Sequence, residues 1–265
     1  MASLVAAAVA GPALILAAVP AYAASDAMVS VFHGIPGATV DVYVNDKLTL
    51  DDFKPGDLAG PLTLPAGTYS VKITDPTDAT KIVIGPADIP VEGGMNYTIV
   101  AYLDADGKPT AKPFVNDVSA TMAGEGRVTI RHVAAAPAVS VSADGATLVP
   151  TLSNGEEAVA DVAAMEYAVS VAPASGGDSV FDTDLDVAEG VNTIVYAYGD
   201  LAGGTFAVGT QAIADLGSMP DGGVPGGEAG LANDGSAVPV WVLLAAALGL
   251  AGAGIAGRRL VTARD

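Results

Sequence analysis

Between residues 25 and 216 apolar side chains recur at every second position. Val29 and Val31, the run Val40, Val42 and Val44, the pair Val71 and Ile73, and the pair Ile82 and Ile84 all alternate with other residues. A period of two belongs to the half-buried β-strand, whose successive side chains point to opposite faces. Turn-forming residues punctuate the runs: Asn45-Asp46, Pro65-Ala66-Gly67, Asp75-Pro76, Glu92-Gly93-Gly94, Asp106-Gly107, Asp144-Gly145 and Gly203-Gly204. Strands spaced about 8–12 residues apart predict sandwiches of seven or so antiparallel strands. The segment EEAVADVAAM, residues 156–165, carries a hint of helix. Its counterpart DLAGPLTLPAG, residues 57–67, contains prolines, so both are expected to be extended or irregular.

The pattern occurs twice. MVSVFHGIPGATVDVYVND (residues 28–46) aligns with RVTIRHVAAAPAVSVSADG (residues 127–145), so that His33 matches His132 and Asn45-Asp46 matches Asp144-Gly145. Further on, GTYSVKI around Tyr69 matches MEYAVSV around Tyr167, and NYTIVAY from Asn96 matches NTIVYAY from Asn192. Solenoid units run about 20–50 residues, and this period is about twice that, so it signals tandem domains. The fold expected is all-β: two tandem antiparallel, immunoglobulin-like β-sandwich domains over residues 25–120 and 124–216. Residues 118–125 alone are expected to join them, leaving each free to fold independently.

The two ends of the chain read differently. Residues 2–19 are apolar and Ala-rich, and Ala21-Tyr22-Ala23 supplies an A-x-A cleavage pattern, although no Lys or Arg precedes the run. Residues 1–23 are therefore expected to be a signal peptide. A second apolar run, residues 238–256, contains Trp241 near its start and is followed at once by Arg258 and Arg259. As helix it spans roughly 28 Å, the thickness of a bilayer core, with its basic end inside. Residues 238–257 are expected to be a transmembrane helix and residues 258–265 a basic cytoplasmic tail. Residues 217–237, rich in Gly and Pro and acidic, form a tether reaching roughly 25 Å. Within it Leu231-Ala232-Asn233-Asp234-Gly235 resembles a sortase sorting signal of the L-A-x-T-G type, but Asp234 stands where the attacked Thr belongs. A plain linker is the expected reading.

A strand ending in His, then VDVYVND, then LPAGTY, then YTIVAY, as in residues 28–116, resembles the bacterial domain of unknown function 4397. That resemblance implies a secreted, often tandem, β-sandwich-like module on an envelope protein. Residues 124–216 depart from it, since Ser140 stands in the place of Asp41.

Charge narrows the partners. The chain carries 30 acids against 11 bases, a net charge of −19. Nucleic acid and anionic lipid surfaces both demand clustered Lys and Arg and are not expected partners. There is no cysteine, hence no disulfide framework and no thiolate chemistry. His33 and His132, one per copy, are expected to bond loop carbonyls at sandwich corners rather than bind metal. Asp182, Asp184 and Asp186 suggest a calcium loop, but Val187 and Thr193 occupy its Gly and Glu positions. Period two explains them better, with the aspartates facing water and Phe181, Leu185 and Val187 facing the core. Asp51-Asp52, Asp104, Asp106 and Glu156-Glu157 read as ordinary loop acids.

G-x-S-x-G, H-E-x-x-H and P-loop motifs are absent from the sequence, and no catalytic, cofactor or metal residue is nominated. For a glycan, stacking would fall to Tyr43, Tyr97, Tyr102, Tyr196 and Tyr198, most of which occupy core or flanking positions. The function expected is a non-catalytic cell-envelope surface protein, structural or adhesive, held in the membrane by one span with its body outside. The alternative is an extracellular module for glycan or weak Ca²⁺. Its partners are then the bilayer, through the C-terminal helix, and an envelope or host-surface protein or glycan.

Overall fold

The structure, a computed structural model, describes residues 25–219. The expected signal peptide, the tether from residue 220, the sorting-like pattern, the span and the tail lie outside the described residues. Among the described residues all regular structure is β-strand. The first eight strands are β1 (Ala27–His33), β2 (Val40–Val44), β3 (Lys47–Phe53), β4 (Leu58–Leu64), β5 (Gly67–Asp75), β6 (Asp78–Val91), β7 (Asn96–Leu103) and β8 (Pro109–Val115). After β9 (Thr121–Met122) come β10 (Glu125–Ala135), β11 (Val139–Ala143), β12 (Ala146–Leu152) and β13 (Glu156–Ala163). The last are β14 (Glu166–Pro173), β15 (Phe181–Asp186), β16 (Asn192–Asp200), β17 (Ala207–Ile213) and β18 (Ser218–Met219).

Each half of the body is built from two four-stranded sheets. In the first half the orders are β4-β1-β7-β8 and β3-β2-β5-β6. In the second they are β13-β10-β16-β17 and β12-β11-β14-β15, strand for strand the same arrangement. Local residue chemistry sets the hairpins. Asn45 and Asp46 take φ of 50° and 61°, and Asp144 and Gly145 take 49° and 77°. Two left-handed residues make the tight turn whose twist suits paired strands. Each turn is pinned from the side: Asn45 Oδ1 accepts the Ser70 N–H at 2.9 Å, and Asp144 Oδ1 accepts the Ala168 N–H at 3.0 Å. The ambiguous segments are extended, residues 58–64 of the one forming β4 and residues 156–163 of the other forming β13.

One element of the expected pairing is corrected. β1 runs parallel to β7, with Val29 opposite Tyr97, and β10 runs parallel to β16, with Thr129 opposite Ile194. Alternation along a strand reports which face is buried and carries no information on direction. Strands this far apart in sequence are free to pair parallel through a long crossover.

In the first half the two sheets enclose Val29, Val40, Val42, Ile73, Tyr97 and Ile99. In the second, Val139, Val141, Leu152 and Val171 pack against Ile130 and Ala158 of the facing sheet. A third cluster belongs to neither half alone. Phe32, Val100, Tyr102 and Phe114 from the first pack with Val133, Ile194 and Tyr196 from the second. The expectation that only a linker joins the copies is therefore overturned. The sheet containing β1 and β7 is covered on both faces, which is why β7 is buried at seven of its eight positions. Short-period alternation does not reveal a second covering layer.

Candidate functional site: the seam between the halves

The seam face of the second half is laid out by period two along β10. Arg127, Thr129, Arg131 and Val133 project to one side, while Val128, Ile130 and His132 project to the other. Cross-strand register extends each position into a row. Glu157, Arg131, Tyr196 and Gly209 lie side by side on β13, β10, β16 and β17. Gly209 completes that row because a side chain does not fit: a Cβ there would stand 2.9 Å from Phe32 Cζ. Phe32 occupies the space, stacked on Tyr196 with centroids 4.2 Å apart and meeting Tyr198 edge-on at 5.3 Å.

Arg131 is wholly buried. Its Nε donates to Glu157 Oε2 at 2.8 Å, Nη1 to Tyr196 Oη at 3.0 Å and Nη2 to Asn116 Oδ1 at 2.8 Å. Its guanidinium lies 4.6 Å from the Phe114 ring centroid. A charge without water is tolerable only when it is hydrogen-bonded and paired, and here each of the three nitrogens donates a bond and Glu157 supplies the counter-charge. The network continues into the first half. Tyr196 Oη donates to Gln211 Oε1 at 2.6 Å, and Thr98 Oγ1 donates to the same oxygen at 3.0 Å. Asn116 Nδ2 donates to Asn96 Oδ1 at 2.7 Å. Burial pushes the Tyr196 phenol above its ordinary value, so it stays a donor.

Arg127 secures the connection between the halves. It holds Asp161 in a bidentate pair at 2.7 and 2.9 Å and donates to the Ser119 carbonyl at 3.0 Å. The Asp117 carboxylate lies 2.8 Å away. The Asp161 hydrogen bond raises the Arg127 pKa, and the Ser119 hydroxyl leads the lowering of the Asp117 pKa.

At the other end of the seam the contacts are reciprocal. Tyr198 of the second half lies over the turn at Gly56, where a Cβ would come 2.8 Å from its hydroxyl. Tyr102 of the first half lies over Gly155, where a Cβ would come 2.9 Å from its hydroxyl. Tyr102 and Tyr198 occupy matching positions in the repeat, and so do Gly56 and Gly155. Such exchange of equivalent contacts is the mark of a two-fold interface, here approximate and within one chain. Asn154 Nδ2 closes the edge by donating to the carbonyls of Leu103 and Ala134, one in each half, at 2.9 and 2.6 Å.

His33 and His132 stand where the sequence placed them. Each is fully buried, and Nε2 donates to a loop carbonyl: Ala38 at 2.7 Å for His33, Pro137 at 3.0 Å for His132. Burial lowers both pKa values below the ordinary imidazole range, outweighing the opposing carbonyl bonds. Asp182, Asp184 and Asp186 are exposed along β15, while Val187 is buried. Among the described residues no group of three or more His, Asp or Glu could hold a metal ion. Of the tyrosines, Tyr97, Tyr102 and Tyr196 are buried, and Tyr43 lies beneath the Lys72 ammonium at 4.8 Å.

One reading of the acids is corrected. Asp51 and Asp52 lie in β3 and Glu156 and Glu157 in β13, strand residues rather than loop acids, and Glu157 neutralises a buried arginine. Sequence reasoning also missed Arg127 and Arg131. Their signal was available: they are the two bases of residues 124–216, four apart on a strand and so on one face. A crevice of about 190 Å³ opens beside the network, lined by Ser30, Pro61, Asn96, Gln211 and residues 212–214. It is smaller than the roughly 300–1,000 Å³ of ordinary ligand pockets.

Residues 27–142 match the model of a domain of unknown function, DUF4397. The match takes in the whole first half and continues through β10 into β11, so it includes both histidines and both seam arginines. No curated protein matches the chain significantly.

Proposed function

We propose that the chain is a non-catalytic cell-envelope surface protein whose body is a stiff, outward-facing pair of β-sandwich modules. The signal peptide of residues 1–23 exports it, the span of residues 238–257 holds it in the membrane, and the acidic tether sets the body off from the surface. Its role is structural or adhesive presentation. The observation that carries this reading is the seam. Its polar side chains are largely engaged with one another and its apolar side chains lock the two halves, an arrangement suited to bearing and spacing rather than to turnover. The acidic surface and the absence of cysteine fit an exterior partner that is neither nucleic acid nor an anionic membrane.

Fractionation of expressing cells tests the reading. The full chain should require detergent for extraction and be accessible to protease added outside, and deletion of residues 238–265 should release the body into the medium. Recovery only after peptidoglycan digestion reassigns the anchor to the pattern at residues 231–235. Recovery from the cytosol overturns the reading.

A further inference from the structure

We propose that the seam is acid-gated, with His33 and His132 as paired sensors that loosen the two halves when both imidazoles take up a proton.

The geometry repeats on both sides. His33 is the last residue of β1 and His132 lies three residues before the end of β10, and the residue after each lies in the seam itself. Val133 belongs to the apolar cluster shared by the halves. Gly34 is so close to the second half that a Cβ would stand 3.2 Å from Tyr198 Cβ. Each histidine carbonyl also accepts the N–H of the seam glycine: Gly56 to His33 and Gly155 to His132, both at 2.7 Å. Those are the glycines beneath Tyr198 and Tyr102. A change at either imidazole is therefore one residue from a seam contact in both directions along the chain.

Neither imidazole is prepared for a second proton. In His33 Nδ1 faces the Ile35 N–H at 3.4 Å, a donor against which a new N–H would collide. In His132 Nδ1 is buried without any partner. The ring of His33 stacks near Phe53, with centroids 5.7 Å apart. The charged groups facing the pair are Asp57 for His33 and Glu156 for His132. Each carboxylate accepts a backbone N–H, Asp57 from Lys54 at 3.0 Å and Glu156 from Ser153 at 2.9 Å, and neither is hydrogen-bonded to its histidine. Both imidazoles point away from the seam, so a buried imidazolium reaches water only if the corner loop behind it opens, and that opening displaces the histidine carbonyl that holds Gly56 or Gly155 in the seam.

The sign follows from linkage. Burial depresses both histidines, so above the ordinary value of about 6.5 they are neutral whether the corner loops are closed or open, and the seam has its full stability. Below it the open form binds protons first, and the seam weakens until the depressed value is passed. The opening constant rises by up to about tenfold per pH unit for each histidine that gains a proton.

Hydrogen exchange of the full chain at pH 7 and pH 5, corrected for intrinsic rate, reads this out. Peptides covering residues 54–57 and 153–157 should lose protection at pH 5 while β2 and β11 keep theirs. Gln keeps an N–H for the loop carbonyl and cannot ionise, so the double variant His33→Gln, His132→Gln should abolish the pH dependence. If that variant does not fold, each single variant should halve the slope. Equal seam protection at both pH values in the wild type overturns the proposal. So does a glutamine variant that opens as the wild type does, or a midpoint moved only by Asp57→Asn and Glu156→Gln.

Discussion

Phe32 and Tyr196 come from opposite halves of the chain and lie almost parallel, their planes 10° apart and their centroids 4.2 Å apart. The contact exists because β17 carries Gly209 in the row beside Tyr196, leaving room for the Phe32 ring edge. An aromatic pair of this kind adds about 0.5–1.5 kcal/mol beyond the area it buries. It is the centre of the apolar seam.

Phe32→Ala should lower stability by about 3–5 kcal/mol, the usual cost of emptying a buried phenylalanine site. Gly209→Ala approaches the same contact from the other side, and the forced shift should cost about 1–3 kcal/mol. Because both act on one contact, the double variant should be less destabilised than the sum. Urea denaturation followed by circular dichroism measures all three.

The Arg131–Glu157 pair should show strong coupling. Glu157→Gln leaves a fully buried guanidinium without its counter-charge. Breaking a buried pair costs about 3–5 kcal/mol, and the partial exposure of Glu157 places this case at the lower end. Arg131→Met fills similar volume without charge and should cost less in the Glu157→Gln background than alone. A double-mutant cycle whose coupling energy is zero within error would show that the pair contributes nothing.

Each half expressed alone should be poorly behaved. Residues 25–120 would expose Phe32, Val100, Tyr102 and Phe114, and residues 124–216 would expose Arg131, Ile194 and Tyr196. Both should melt below the intact body or associate with themselves, because the approximate two-fold seam lets one half stand in for the other. Calorimetry together with sedimentation checks this. Monomeric halves that melt with the stability of the whole body would mean that the seam holds nothing.

Calcium should have no specific effect. Asp182, Asp184 and Asp186 alternate along one strand, so the three span roughly 13 Å, and among the described residues no three acids converge on a common point. Melting in millimolar Ca²⁺ should rise only as it does in NaCl of equal ionic strength, through screening of the net negative charge. A saturable rise confined to Ca²⁺ would make these aspartates a site.

The amino-acid sequence by itself determined the strands, the tight turns and the corner histidines. Each of these is a local matter. Alternation of Val40, Val42 and Val44 commits a segment to one buried face. Asn45-Asp46 and Asp144-Gly145 accept the left-handed backbone of a hairpin. His33 at the end of β1 and His132 near the end of β10 each find a loop carbonyl five residues on. Tertiary structure alone decided the parallel pairing of β1 with β7, because strand direction leaves no trace in a period of two. It also decided the fate of Arg127, Arg131 and Glu157. In the sequence they are two bases and an acid on polar-looking strand faces. Only the approach of a second sheet turns that face inward, removes the water and makes their pairing a condition of folding. The seam is thus written in residues whose meaning depends on what covers them, and the covering surface lies in the other half of the chain.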